Sequence, residues 1–129
     1  MSSVFQRPTC ITEIVGEAVP SYFVVGPMGF SLVTRSKDEV GSFLRAQFLL
    51  LGIELTDENL RAAKLHAQVS GSVSDLGYGY RLIDLYLETG SEHILLDDDG
   101  VIRAAGDKPE PVTNLATKLI KRLERGPNT

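Results

Sequence analysis

The sequence lacks the features by which secreted and membrane proteins are recognised. Cys10 is its only cysteine, so no disulfide can form within the chain. Residues 1–8 lack the basic start and apolar run of a secretory signal. The longest apolar stretch, residues 48–53, is about a third of the ~20 residues that a membrane-spanning helix requires. These absences predict a cytoplasmic protein without a membrane segment.

An excess of positive charge is also missing. The net charge is −4 and the isoelectric point is about 5.1, so no global basic field attracts nucleic acid or an anionic membrane. The apolar fraction of 43% and the charged fraction of 23% are ordinary for a folded chain. We expect one domain over residues 11–126, with flexible ends at 1–10 and 127–129.

The first third of the chain predicts three strands and a helix. Strands are expected at residues 11–15, 22–25 and 30–34, and Gly26-Pro27-Met28-Gly29 suits a hairpin turn between the last two. Ser36 and Glu39 have the spacing of a capping box at the start of a helix over 37–51. Its apolar stripe faces a core, with Arg45 and Gln47 away from it. The stripe consists of Val40, Phe43, Leu44, Phe48 and Leu51.

The remaining elements follow from turn and helix signals. Thr56 is a second N-cap, which predicts a helix over 57–69. The small residues of 70–77 predict a mobile loop. Strands are expected at 80–88, 93–97 and 101–105, the last two joined by a hairpin at Asp98-Asp99-Gly100.

An amphipathic helix from residue 111 or 112 to 125 closes the chain. The order β-β-β-α-α-β-β-β-α predicts the α+β class, with a single antiparallel sheet packed on about three helices.

No residue pattern predicts a catalytic, cofactor or metal site. Three adjacent carboxylates at residues 97–99 could bind a divalent cation, but they lack the alternating spacing of a calcium loop and favour a solvated turn. Cys10, His66 and His93 form no recognisable nucleophile motif. We therefore expect a non-enzymatic protein that needs no cofactor.

The residues best suited to meet a partner are Tyr78, Asp97, Asp98 and Asp99. A tyrosine exposed in a glycine-rich loop is a good contact residue at an interface. An acidic surface complements a basic protein partner, and nucleic acid is disfavoured. Self-association into a homodimer stays open as a further property.

A different class of function also stays open. A small-ligand site or an active site can be assembled from residues scattered along the chain, without a local motif. The candidates for it are Arg35, Tyr80, Arg81, Glu88 and His93.

Residues 40–125 resemble the SUKH superfamily of bacterial toxin-immunity proteins. The likeness lies in a helix that ends in Leu51-Gly52-Ile53, in the hairpin over residues 93–102, and in the closing helix with Thr113-Asn114-Leu115. The β-rich residues 11–34 depart from the helix-first start of that family. The resemblance implies a non-enzymatic immunity, inhibitor or regulatory protein, of bacterial or phage origin, that neutralises a toxin by binding it.

Overall fold

The structure, a computed structural model, describes residues 10–54, 56 and 67–125. The chain divides into two compact units, Met1–Val69 and Ser70–Thr129. The described residues form seven strands and two helices. These are β1 (Cys10–Val15), β2 (Ser21–Val25), β3 (Ser31–Thr34), α1 (Lys37–Leu50), β4 (Ala67–Gly77), β5 (Tyr80–Leu87), β6 (Gly90–Leu96), β7 (Ile102–Gly106) and α2 (Pro109–Arg125).

The first unit contains three antiparallel strands with β2 in the middle. Phe23 lies opposite Thr12 on β1 and opposite Val33 on β3. The turn between β2 and β3 closes where the Gly26 amide donates to the Phe30 carbonyl at 2.9 Å, which confirms the predicted hairpin. Helix α1 contacts β2 and β3. The core of this unit is formed by Ile11, Tyr22, Val24, Val40, Leu44 and Phe48.

Helix α1 begins and ends close to the predicted residues. Ser36 Oγ accepts a hydrogen bond from the Glu39 amide at 3.3 Å, and Gly52 after the helix has a φ of 78°, as an N-cap and a left-handed stop require. A capping box has a second hydrogen bond, from the Ser36 amide to the Glu39 side chain, and this part of the prediction is wrong. The Ser36 amide donates to Thr34 Oγ1 at 3.1 Å instead of to the carboxylate of Glu39.

Gln47 is buried, although the helical stripe placed it away from the core. Its Oε1 accepts a hydrogen bond from the Met28 amide at 3.0 Å. A Cβ atom at Gly26 would collide with the Gln47 side chain. The turn between β2 and β3 therefore lies against α1, and an amide side chain satisfies its backbone.

The second unit contains the antiparallel strands β4, β5, β6 and β7 in that order, with α2 on one face. Alternation along β5 buries Ile83 and Leu85 and directs Leu82 to the opposite face. On that face, Leu95 of β6 packs with Val112 and Ala116 of α2. The predicted strands of this region and the closing helix agree with the structure to within about three residues at each end.

The predicted fold class is wrong. The described residues contain more strand than helix and include two helices, whereas we expected an antiparallel sheet packed on about three helices. Residues 70–77, predicted as a loop, belong to β4 and pair with β5. Their glycines and serines are poor strand formers, but the ladder to an adjacent apolar strand outweighs that preference.

Part of the predicted organisation lies outside the described residues. This holds for residues 57–66 of the predicted second helix, while its last three positions, 67–69, are strand. Residues 1–9 and 126–129 also lie outside, so the flexible ends stay a prediction. The single domain over 11–126 likewise stays a prediction.

Candidate functional site

The turns at one end of the second unit lie side by side. Tyr78 and Gly79 connect β4 to β5, and Asp98 and Asp99 lie in the turn between β6 and β7. A Cβ atom at Gly79 would collide with the side chain of Asp98. The two tips are therefore in direct contact, and three of the four predicted partner-binding residues are neighbours.

Tyr78 is held outward in an unfavourable backbone conformation. Its φ is 55°, a left-handed value that costs a residue with a side chain roughly 1–2 kcal/mol. The flanking Gly77 and Gly79 also have positive φ, and Asp75 Oδ1 accepts a hydrogen bond from the Gly77 amide at 2.9 Å. The tyrosine is 54% exposed. The turn thus presents an aromatic ring to the surroundings.

Asp97 differs from the other predicted partner-binding residues because its carboxylate is used inside the turn. Its Oδ1 accepts hydrogen bonds from the amides of Asp99 and Val101, both at 2.9 Å. Its Oδ2 accepts from Arg103 Nε at 2.6 Å, and its side chain is 5% exposed. Asp97 therefore builds the hairpin and does not reach the surface.

The ionisation of Asp97 reflects two opposing effects. Burial raises the pKa of this carboxyl group, but hydrogen bonds from Val101, Arg103 and Asp99 outweigh burial, and the pKa falls below its ordinary value of 3.8. Asp98 and Asp99 are exposed. We call Tyr78, Asp98 and Asp99 the hairpin-tip surface; it combines one aromatic ring with two carboxylates.

A second constellation lies nearer the opposite end of the β5 and β6 pair. His93 Nδ1 lies 2.6 Å from Asp84 Oδ1, and His93 Nε2 lies 3.0 Å from Ser91 Oγ. The Ser91 hydroxyl lies within hydrogen-bond distance of a second acceptor, since Oγ donates to the Asp107 carbonyl at 3.3 Å. A serine, a histidine and an aspartate therefore form a continuous hydrogen-bonded chain.

Strand geometry explains why these three side chains meet. Asp84 on β5 lies directly opposite His93 on β6, so their side chains leave the same face as neighbours. Ser91 precedes His93 by two residues on the same strand and shares that face.

Ser91 also lines a surface pocket of about 610 Å³ formed by the turn between β5 and β6 and the end of β7. The pocket is lined by Leu87, Thr89, Gly90, Ser91, Glu92, Ala105, Gly106 and Asp107.

The scattered candidates for a small-ligand site lie in both units, and that function stays a prediction. In the first unit, Arg35 pairs with Glu17 at 3.1 Å. In the second unit, Tyr80 packs against the core that Leu95 forms with α2, and Glu88 is exposed.

Among these scattered candidates, His93 takes part in the hydrogen-bonded chain with Ser91 and Asp84. Cys10 is half-buried on β1, and His66 lies outside the described residues. Within residues 10–54, 56 and 67–125, no group of three or more His, Cys, Asp or Glu side chains is arranged to hold a metal ion.

Sequence reasoning missed Ser91 and Asp84. The available signal was the turn at residues 88–89, because a two-residue turn between strands sets the register and places position 84 opposite position 93. The sequence prediction started β6 at residue 93, so Ser91 lay outside the predicted strand.

The comparisons with known proteins add no relative. No family model, curated protein or solved structure matches the chain, so the resemblance to the SUKH superfamily stays a prediction. Neither helix in the described part of the chain is long and apolar enough to cross a membrane.

Proposed function

We propose that this chain is a small protein-binding module, of the immunity, inhibitor or regulatory kind, that docks a basic protein through the hairpin-tip surface. One observation supports it above the others. The contact between Gly79 and Asp98 brings an exposed tyrosine next to two exposed carboxylates. The near absence of cysteine supports a cytoplasmic setting.

The chemistry of the hairpin-tip surface suits a cationic partner. Tyrosine supplies a large, rigid contact area that loses little conformational entropy, and its ring face attracts a lysine or arginine side chain. Asp98 and Asp99 add negative potential, which accelerates encounter with a positive surface and disfavours acidic proteins. The positive charge of Arg103 is paired with Asp97. That ion pair therefore does not neutralise the charges of Asp98 and Asp99.

The left-handed conformation of Tyr78 also supports a binding role. Glycine would occupy this position without strain, so tyrosine lowers the stability of the free protein. Unfavourable backbone conformations of this kind concentrate at binding and switch sites. Contact of the Tyr78 ring with a partner would explain why a tyrosine occupies a position where glycine would be more stable.

Affinity capture from an extract of the producing cells tests the proposal. The bait carries Tyr78→Ala, Asp98→Asn and Asp99→Asn together. The matched control carries Tyr86→Ala, Glu88→Gln and Glu124→Gln, which also removes one exposed aromatic ring and two exposed carboxylates.

We expect one basic protein to bind the unmodified chain and the control, to be released by added salt, and to be lost from the tip variant. Equal recovery on all three baits, or no bound protein on any of them, would contradict the proposal.

A further inference from the structure

We propose that the hydrogen-bonded chain of Ser91, His93 and Asp84 is a pH-sensitive switch. When the histidine takes up a proton, the hydroxyl of Ser91 turns from His93 to the backbone carbonyl of Asp107. This property goes beyond docking and rests on different residues from the hairpin-tip surface. The supporting observations are three close contacts and the number of protons available to fill them.

With a neutral histidine, the three contacts cannot all be hydrogen bonds. An ionised carboxylate only accepts, so the single ring proton lies on Nδ1, 2.6 Å from Asp84 Oδ1. Nε2 is then an acceptor, and its 3.0 Å contact with Ser91 Oγ is a hydrogen bond only if the hydroxyl donates to the ring. A hydroxyl has one proton to donate. The Asp107 carbonyl, 3.3 Å from Ser91 Oγ, is then left without that proton.

One additional proton removes this conflict. Both nitrogens of a charged histidine donate, so Nδ1 donates to Asp84 and Nε2 donates to Ser91 Oγ. The hydroxyl oxygen accepts from the ring, which frees the hydroxyl proton for the Asp107 carbonyl. All three contacts are then hydrogen bonds. The contact of 2.6 Å between His93 and Asp84 now joins opposite charges, and hydrogen bonds between charged groups are characteristically short.

The Asp107 carbonyl lies at the connection between β7 and α2. Pro109 and Pro111 follow it closely, and neither has an N–H group with which to donate to this carbonyl. A neutral His93 keeps the Ser91 hydroxyl bonded within its own strand. A charged His93 releases the hydroxyl to the connection. Acidification therefore adds a link between the start of β6 and the segment that leads into α2.

The surroundings of His93 favour Asp84 as its charged partner. The side chain of His93 is 7% exposed and that of Asp84 is 19% exposed, and the two residues lie opposite each other on paired strands. Other neighbours on the packed elements carry no charge, namely Ser72 on β4, Gly106 on β7, and Val112 and Ala116 on α2. The ionisable side chains on the flanking segments are exposed, namely Tyr86, Asp107, Lys108 and Glu110.

NMR spectroscopy of the whole chain tests the switch directly. The isotope-labelled protein is titrated between about pH 5 and 8, the range in which histidine ordinarily changes its charge. The ring nitrogens of His93 report its protonation, and the carbonyl carbon of Asp107, read through the amide of Lys108, reports its hydrogen bond. We expect Nε2 to gain a proton as pH falls. The Asp107 carbonyl carbon should shift downfield with the same midpoint.

Variants separate the Ser91 hydroxyl from other effects of pH. Ser91→Ala should leave the His93 ring titrating and abolish the shift of the Asp107 carbonyl, whereas Ser91→Thr, which keeps a hydroxyl, should retain the shift. Asp107→Asn removes the carboxylate next to the reporter and should also retain it. The matched control is His66→Gln, which removes the other histidine of the chain and should leave the response unchanged.

The proposal is wrong if the Asp107 carbonyl stays constant while His93 titrates, or if its response persists in Ser91→Ala. A His93 ring that keeps one protonation state throughout the titration would also contradict it. If Ser91→Ala does not fold, the agreement of the two midpoints in the unmodified chain and in His66→Gln decides the question. Partner capture is a separate readout, so the switch and docking at the hairpin-tip surface can fail independently.

Discussion

The two ends of the β5 and β6 pair use the same strands for opposite purposes. At the tip end, the ring of Tyr78 and the carboxylates of Asp98 and Asp99 are exposed. Toward the other end, Ser91, His93 and Asp84 are half-buried or buried and bond to one another. The side chains of the first set are open to the surroundings, whereas hydrogen bonds within the second set fix the orientation of its side chains.

Two aspartates make the contrast clearer. Asp97 accepts two hydrogen bonds from the backbone of its own turn and one from Arg103, so it maintains the hairpin. Asp84 accepts from a histidine on the neighbouring strand, so it orients a side chain. One carboxylate thus stabilises the backbone of a turn, and the other positions the His93 side chain.

The largest expected effect is that of Asp97→Ala. This change leaves the amides of Asp99 and Val101 and the Arg103 guanidinium without their carboxylate, at a cost of about 2–3 kcal/mol in unfolding free energy. Urea denaturation measures it. Asp99→Ala, at an exposed position of the same turn, should change stability by less than about 0.5 kcal/mol. Equal effects of the two changes would remove the distinction between Asp97 and the hairpin-tip surface.

Asp84→Ala should be the next largest change. It leaves His93 Nδ1 buried without its partner, which costs about 1–2 kcal/mol. A double-mutant cycle with His93→Ala should show a coupling of at least about 0.5 kcal/mol between the two side chains. Additive effects would mean that Asp84 does not hold the histidine.

Tyr78→Gly should stabilise the chain while weakening the capture of a partner. Glycine adopts the φ of 55° without a steric penalty, and we expect a gain of about 1 kcal/mol, reduced by the entropy of glycine in the unfolded chain. Gly77→Ala, at a neighbouring position of positive φ, should lower stability. A Tyr78→Gly chain that is less stable than the unmodified one would contradict the strain that we assign to the tyrosine.

The smallest effect is a pH dependence that arises from Asp97. Its folded pKa lies below its ordinary value, so the unfolded chain binds more protons and the folded state loses stability as pH falls below about 4. The contribution is fully present at neutral pH. Urea midpoints measured between about pH 3 and 6 should fall less steeply at low pH for Asp97→Asn. An unchanged slope in that variant would show that Asp97 is not responsible.

Local signals in the sequence predicted the elements whose causes are local. Ser36 marked the start of α1, and Asp98-Asp99-Gly100 marked the last hairpin. Strand β4 was missed because its serines and glycines indicate a loop unless the neighbouring strand is considered.

The candidate sites divide in the same way. The tip residues were predicted from their own chemistry, although their contact depends on two separate turns meeting. The hydrogen-bonded chain of Ser91, His93 and Asp84 depends on the register of β5 and β6, which the turn between them sets and which the chemistry of the three residues alone does not reveal.

The most direct test of the docking proposal is photo-crosslinking from single positions. A photoreactive phenylalanine analogue is placed at Tyr78 in one chain and at Tyr86, which is similarly exposed, in another. Both chains are irradiated in an extract of the producing cells. We expect one basic protein to be linked from position 78 and absent from position 86. No linked protein from position 78, or the same proteins from both positions, would contradict docking at the hairpin-tip surface.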